Sequence, residues 1–152
     1  MTRFLSRTPI RTFILYPIVT LLWEEVVIRG PHFAPNLWFL PLMIWGYLQY
    51  LLCGRYRLKL GGGGPGLEAA PDKLVSSGPY GYSRNPMYLG HIIFLIGLTL
   101  TLKSWIAGFI TAAVALWFHR RVIGDEKKLI KVLGRPYANY LVNVKRWIPG
   151  LF

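Results

Sequence analysis

What most limits the fold of this chain is the length of its uncharged apolar stretches. Residues 36–53, 86–102 and 104–118 contain no Asp, Glu, Lys or Arg, and each approaches the ~17 to 25 residues that a helix needs to cross a bilayer. A fourth stretch, 12–23, is short and reaches that length only by taking in Glu24 and Glu25. Inside hydrocarbon every backbone N–H and C=O must be satisfied within its own segment, so such stretches are expected to be helices. The expected fold is therefore all-α: one membrane domain over 1–152, with spans at about 12–28, 36–53, 86–102 and 104–120. At 53% hydrophobic and 16% charged residues the chain also departs from the composition of a soluble domain.

The charge pattern orients these spans. Of eighteen Lys and Arg residues, only Arg29 and Lys103 fall in the turns after the first and third spans. The other sixteen share one side, which the positive-inside rule makes cytoplasmic together with both termini. An integral protein of a bacterial inner membrane is the expected location. The formal charge of +12 flanks spans, so anionic lipid headgroups are its expected partners and nucleic acid is not. Arg3, Arg7 and Arg11 precede the first apolar run as in a signal peptide, but Glu24 and Glu25 stand where a small-residue cleavage site would be, and the segment is expected to stay.

Between the second and third spans lies "GRYRLKLGGGGPGLEAAPDKLVSSGPYGYSRN", a long loop whose "GGGGPG" lacks the Gly-Lys-Ser/Thr ending of a phosphate loop and reads as a hinge or linker. After the fourth span, Leu129, Val132 and Leu133, then Tyr137, Tyr140, Leu141 and Val144, recur at helical spacing. They predict an amphipathic cytoplasmic helix interrupted at Gly134-Arg135-Pro136, where Gly can end one helix and Pro begin the next. The single Cys53 and the histidines at 32, 91 and 119 fit no metal-ligand spacing, so no metal is expected.

Two polar clusters fall at the same inner surface: Tyr80, Tyr82, Arg84, Asn85, Tyr88 and His91, and then Arg121, Asp125 and Glu126. Each admits a plain reading. Arg121 and Asp125, four apart, could form a helical ion pair; Arg84 could be a snorkelling anchor and the tyrosines an interfacial belt. Against this, adjacent carboxylates beneath an apolar bundle, in a chain with six acids, are costly unless a cation meets them.

"KLVSSGPYGYSRNPMYLG", followed after an apolar hairpin by "RVIGDEKKLIKVLGRPYANYLVNVKRWIPG", resembles the isoprenylcysteine carboxyl methyltransferase and phospholipid N-methyltransferase superfamily of integral membrane enzymes. The shared pattern is Gly-x-Tyr, Arg-His/Asn-Pro-x-Tyr-x-Gly, then Arg-x-x-x-Glu-Glu-x-x-Leu ahead of Gly-x-x-Tyr-x-x-Tyr, and it covers about residues 73–150. The resemblance implies S-adenosylmethionine as cofactor, with S-adenosylhomocysteine as product. It places Leu74, Val75, Gly78 and Tyr80 against the nucleoside, Arg84, Asn85 and Tyr88 at the head of the third span, and His91 one turn deeper. Arg121, Asp125 and Glu126 match the essential Arg and the two acids, as catalytic and cofactor-binding residues. Asn85 stands where the isoprenylcysteine branch commonly has His, and Asp125 replaces the first Glu, leaving open which acid makes the main contact.

The chemistry of the residues agrees: carboxylates suit the cofactor's ammonium, an arginine its carboxylate and tyrosines its sulfonium. A lipidic acceptor, reaching the site from the bilayer, is expected. A carboxylate acceptor needs no base, whereas a phospholipid amine must first lose a proton, to Asp125, Glu126 or His91. Two rival functions remain: an NAD(P)H-dependent membrane reductase related to sterol reductases, and a non-enzymatic scaffold or small transporter. The reductase lacks an evident 2′-phosphate site, and a transporter predicts charges inside the spans that the later spans do not contain.

Overall fold

The computed structural model describes residues 7–29, 34–62 and 71–148; the glycine run from Gly63 onward and the turn around His32 lie outside them. Among the described residues every regular element is helical. The N-terminal helix runs through α1 (Thr8–Ile10), a π segment (Arg11–Leu15), α2 (Tyr16–Leu22) and a second π segment (Trp23–Arg29). A 3-10 turn (Leu37–Phe39) leads into α3 (Leu40–Gly61), followed by α4 (Pro79–Tyr82), α5 (Pro86–Leu102), α6 (Trp105–Leu133) and α7 (Arg135–Asn143).

Among the described residues two helices, Leu37–Gly61 and Trp105–Leu133, are long and apolar enough to cross a membrane, and Pro86–Leu102 is a shorter apolar helix. In their most apolar stretches only 11% and 22% of residues are buried. A helix in the core of a soluble protein would hide most of them; these present Trp45, Leu52, Phe109 and Leu116 outward.

The chain divides into two compact units. The first comprises Met1–Leu48 and Gly90–Leu116. Its N-terminal helix is inside-out by the standards of a water-soluble protein: Thr8, Thr12, Thr20 and Glu24 are buried, while Ile14, Ile18, Leu22 and Val26 are exposed. The polar residues recur at multiples of four. Four residues overshoot an α turn by about 40°, so four-spaced side chains would drift around a straight α-helix; the wider π turns take up the drift. Helices α3 and α5 touch at Gly46, where a Cβ would lie 2.5 Å from the Phe94 nitrogen and 2.6 Å from the Gly90 carbonyl. Such backbone contact requires a small residue and is a common means of association in membranes.

The second unit comprises Gln49–Leu89 and Trp117–Phe152. Its loop and turn segments are stitched to the end of α3. The Gly61 carbonyl accepts the Asp72 and Lys73 amides at 2.8 and 3.0 Å, the Tyr56 and Ser77 hydroxyls are hydrogen-bonded to each other at 2.9 Å, and Gln49 donates to the Pro86 carbonyl at 3.0 Å. Gly78 opens α4 at φ 56°, and a Cβ there would meet the Tyr56 ring at 2.8 Å; conformation and space both demand glycine.

Two helices run on beyond the expected spans. Helix α3 continues past 53 to Gly61, and α6 continues past 120 to Leu133, so Asp125 and Glu126 lie within one unbroken helix rather than in a separate one. The onset of charge marks a change of surroundings and not of backbone. The expected break is at Gly134, φ 63°, with Pro136 in the first turn of α7.

Candidate functional site

In the second unit a cleft is walled by α6 on one side. Val122, Asp125, Glu126, Leu129, Val132 and Leu133 line it, a spacing of three and four that places all six on one helical face. Pro71, Leu74, Val75 and Tyr80 line it from the segment leading through α4, Arg84, Asn85, Met87 and Tyr88 from the turn into α5, and Arg57 from the end of α3. Tyr137 and Tyr140 of α7 complete the wall. Tyr140 Oη donates to the Tyr80 carbonyl at 2.6 Å, tying α7 to α4, and Tyr80 Oη donates to the Cys53 carbonyl at 3.4 Å.

Most of the residues singled out in the sequence therefore converge. Leu74, Val75, Tyr80, Arg84, Asn85, Tyr88, Asp125 and Glu126 face one cleft. Gly78, Arg121 and His91 are not among its lining residues. Gly78 shapes the turn behind the wall. Arg121 lies one turn from Asp125, with Nε 3.6 Å from its carboxylate and its guanidinium 5.3 Å from the Trp117 ring centre. His91 belongs to the first unit, is fully buried, and has Phe13 stacked on its ring at 4.6 Å. Within the first unit an aromatic ring of the N-terminal helix therefore covers one face of His91.

The two acids have different surroundings. The Glu126 side chain is 9% exposed; Arg146 approaches it with Nε at 3.1 and 3.2 Å and Nη2 at 2.8 Å, and Arg84 Nη1 stands 3.4 Å away. The bond to Glu126 raises the Arg146 guanidinium above its ordinary pKa. Asp125 is 37% exposed. It accepts from Tyr88 Oη at 3.3 Å and has only long contacts to Arg121 and to Lys128, the latter at 3.9 Å.

The phenols of the wall are held neutral. Burial, reinforced by the negative charge of Glu126, pushes Tyr137 up to about 12, and burial likewise raises Tyr80 and Tyr140. Their hydroxyls remain donors at neutral pH and their ring faces remain electron-rich, a surface suited to a cation. Among the described residues no group of three or more His, Cys, Asp and Glu side chains could hold a metal ion.

Arg57, Tyr137, Tyr140 and Arg146 were not among the residues expected at the site. The tyrosines carry a signal, the helical spacing in "RPYANYLV" beside an apolar run; Arg146 carries none, because its partner is twenty residues away.

Comparison with known proteins bears on the same residues. Residues 65–135 match the phospholipid methyltransferase family. Protein-S-isoprenylcysteine O-methyltransferase of Schizosaccharomyces pombe is 32% identical over 78 residues, 50% of this chain and 33% of that protein. Protein-S-isoprenylcysteine O-methyltransferase B of Arabidopsis thaliana is 34% identical over 79 residues, 51% of this chain and 40% of that protein. The alignments thus span between a third and two fifths of these relatives' lengths. The resemblance to the isoprenylcysteine carboxyl methyltransferase and phospholipid methyltransferase superfamily holds on both comparisons.

Proposed function

We infer that this chain, whose residues 65–135 match the phospholipid methyltransferase family, is an integral membrane methyltransferase that uses S-adenosylmethionine to methylate a lipidic acceptor. The observation that carries the reading is the meeting of both motif blocks, 74–88 and 122–140, around one cleft.

The donor set fits the cofactor. Leu74, Val75 and Leu129 offer apolar surface for a nucleoside base, the neutral tyrosines Tyr80, Tyr137 and Tyr140 offer ring faces for a sulfonium, and the carboxylate side of α6 offers a counter-charge for an ammonium. When bound, S-adenosylmethionine supplies a methyl group activated by the sulfonium. The residues of the cleft then have three tasks: holding the donor, aligning the acceptor in line with the methyl, and excluding water. Arg121, whose guanidinium contacts Asp125 beside the cleft, would steer an anionic group.

A carboxylate acceptor of the prenyl type is the reading the site favours. It needs no general base, and of the two cleft carboxylates Glu126 is already committed to two guanidiniums; the relatives' names point the same way. A phospholipid amine is the second reading, favoured by the family match and by Asn85 in place of His; Asp125 would then have to take the proton.

The proposed topology has four spans, with both termini and the loop after α3 cytoplasmic. Single cysteines at Pro35 and Lys73, in a protein whose Cys53 is changed to Ser, should be labelled from opposite sides of sealed vesicles; labelling from one side excludes four spans. The acceptor is tested with methyl-labelled cofactor and a total lipid extract. Label released as methanol by mild alkali identifies an ester and therefore a carboxylate acceptor, alkali-stable label identifies an amine, and absence of transfer to any lipid overturns the reading.

A further inference from the structure

Three backbone-directed bonds fix the chain after α7 onto the turn that opens α5. The Arg84 amide donates to the Lys145 carbonyl at 3.0 Å, while Ser83 Oγ and Asn85 Nδ2 both donate to the Arg146 carbonyl, at 3.3 and 3.2 Å. The same residue's side chain reaches Glu126 on α6 by the two-pronged contact described above, and Glu126 also holds Arg84. One carboxylate thus ties three separate segments: the turn at 83–85, helix α6 and the segment at 145–146.

We propose that Glu126 is a positioning residue whose partners are Arg146 and Arg84, and that the ammonium of the methyl donor is received by Asp125. The geometry carries both halves. A carboxylate offers about four acceptor positions, and Glu126, itself largely buried, has most of them filled by charge-assisted contacts. A ligand ammonium could replace them only by leaving a guanidinium with no counter-charge. Asp125 is more open, and its contacts are long; a ligand can exchange with them at little cost. The latch gives Asn85 a task besides touching the donor, because one of its amide hydrogens is committed to the Arg146 carbonyl. Its consequence for the active site is positional: Arg84, Asn85 and Tyr88 line the cleft, and the latch sets where the first two stand.

The second half rests on the methyltransferase reading, whereas the first does not, and the test separates them. Hydrogen exchange of the 83–90 peptide is followed in the detergent-purified parent, Glu126→Gln, Arg146→Gln, the double variant and Asp125→Asn, with S-adenosylhomocysteine affinity measured on the same samples. Glu126→Gln and Arg146→Gln are expected to speed exchange alike, by about tenfold. The double variant should exchange no faster than either single one, as expected for partners in one interaction. Both are expected to raise the donor KM by a similar factor while kcat at saturating donor stays within about twofold of the parent, and Arg146→Lys, which keeps the charge without the fork, should recover part of the loss. Lost stability alone would lower kcat and leave KM unchanged. Asp125→Asn is expected to lose affinity with exchange unchanged. If Glu126→Gln abolishes affinity while Arg146→Gln changes neither affinity nor exchange, Glu126 is itself the ligand and the proposal is overturned. Should Glu126→Gln fail to fold, Arg146→Gln alone decides through its exchange. A parent that binds no S-adenosylhomocysteine overturns the methyltransferase reading and the role of Asp125, and the exchange comparison still decides the latch.

Discussion

Replacing Asp125 by Asn removes one charge from a side chain that is 37% exposed and keeps its volume. Within the protein it loses little. Its contacts are a 3.3 Å bond from Tyr88, which an amide oxygen can still accept, and ion pairs to Arg121 and Lys128 at 3.6 and 3.9 Å. Pairs of this kind on a helix surface contribute about 0.2 to 0.5 kcal/mol each, and exposure reduces that further. The melting temperature of Asp125→Asn should therefore stay within about 2 °C of the parent. Affinity for the methyl donor should respond quite differently. A hydrogen bond to a charged group contributes roughly 1.5 to 3 kcal/mol, which corresponds to about a 10- to 150-fold loss in affinity for S-adenosylhomocysteine by calorimetry in detergent. Asp125→Glu, which restores the charge one methylene further out, should recover part of it. An Asp125→Asn variant that binds within twofold of the parent would show that the carboxylate is only a surface partner of Arg121, and the assignment of the cleft would lose its counter-charge.

Tyr140→Phe removes the 2.6 Å bond to the Tyr80 carbonyl and leaves that buried acceptor unmet, so chemical unfolding should show a loss of about 1 to 3 kcal/mol. Gly46→Leu forces a side chain between α3 and α5, where even a Cβ would meet backbone at 2.5 Å; no monodisperse folded protein should elute in size-exclusion chromatography, whereas Gly124→Ala, with nothing within 4 Å of its added Cβ, should elute like the parent. The wall tyrosines also make stability pH-dependent. Their folded-state pKa lies above the ordinary value of 10, at about 12 for Tyr137, so the folded state holds the proton longer than the unfolded one. Their contribution is complete below pH 10 and is lost as pH rises toward 12; a melting temperature that increases over that interval would contradict it.

The local parts of this arrangement are legible in the sequence. Helix α6 presents Val122, Asp125, Glu126 and Leu129 on one face because of their spacing alone, and Gly134 beside Pro136 ends the helix where the residue types say it should. The turn at 78–85 declares itself by its glycines, its proline and its polar density next to an apolar run. What is not legible depends on partners far apart in the chain. Nothing about Arg146 or Glu126 indicates that they meet, and nothing about His91 predicts that Phe13 covers its ring. How far α3 and α6 run beyond their apolar stretches is not legible from charge, because a helix leaving an apolar region has no reason to stop while its residues remain good helix formers. In the N-terminal helix the four-residue recurrence of Thr8, Thr12, Thr20 and Glu24 is visible as a pattern, but only the π segments explain how one face keeps it.

If the cleft between α6 and the 74–88 segment holds a methyl donor, as proposed, it should bind the demethylated cofactor and no nicotinamide dinucleotide. Calorimetric titration of the detergent-purified protein with S-adenosylhomocysteine, and in parallel with NADPH, tests it most directly. Saturable binding of S-adenosylhomocysteine at one site per chain and none of NADPH is expected; binding of NADPH alone would identify the cleft as that of a reductase and overturn the methyltransferase reading.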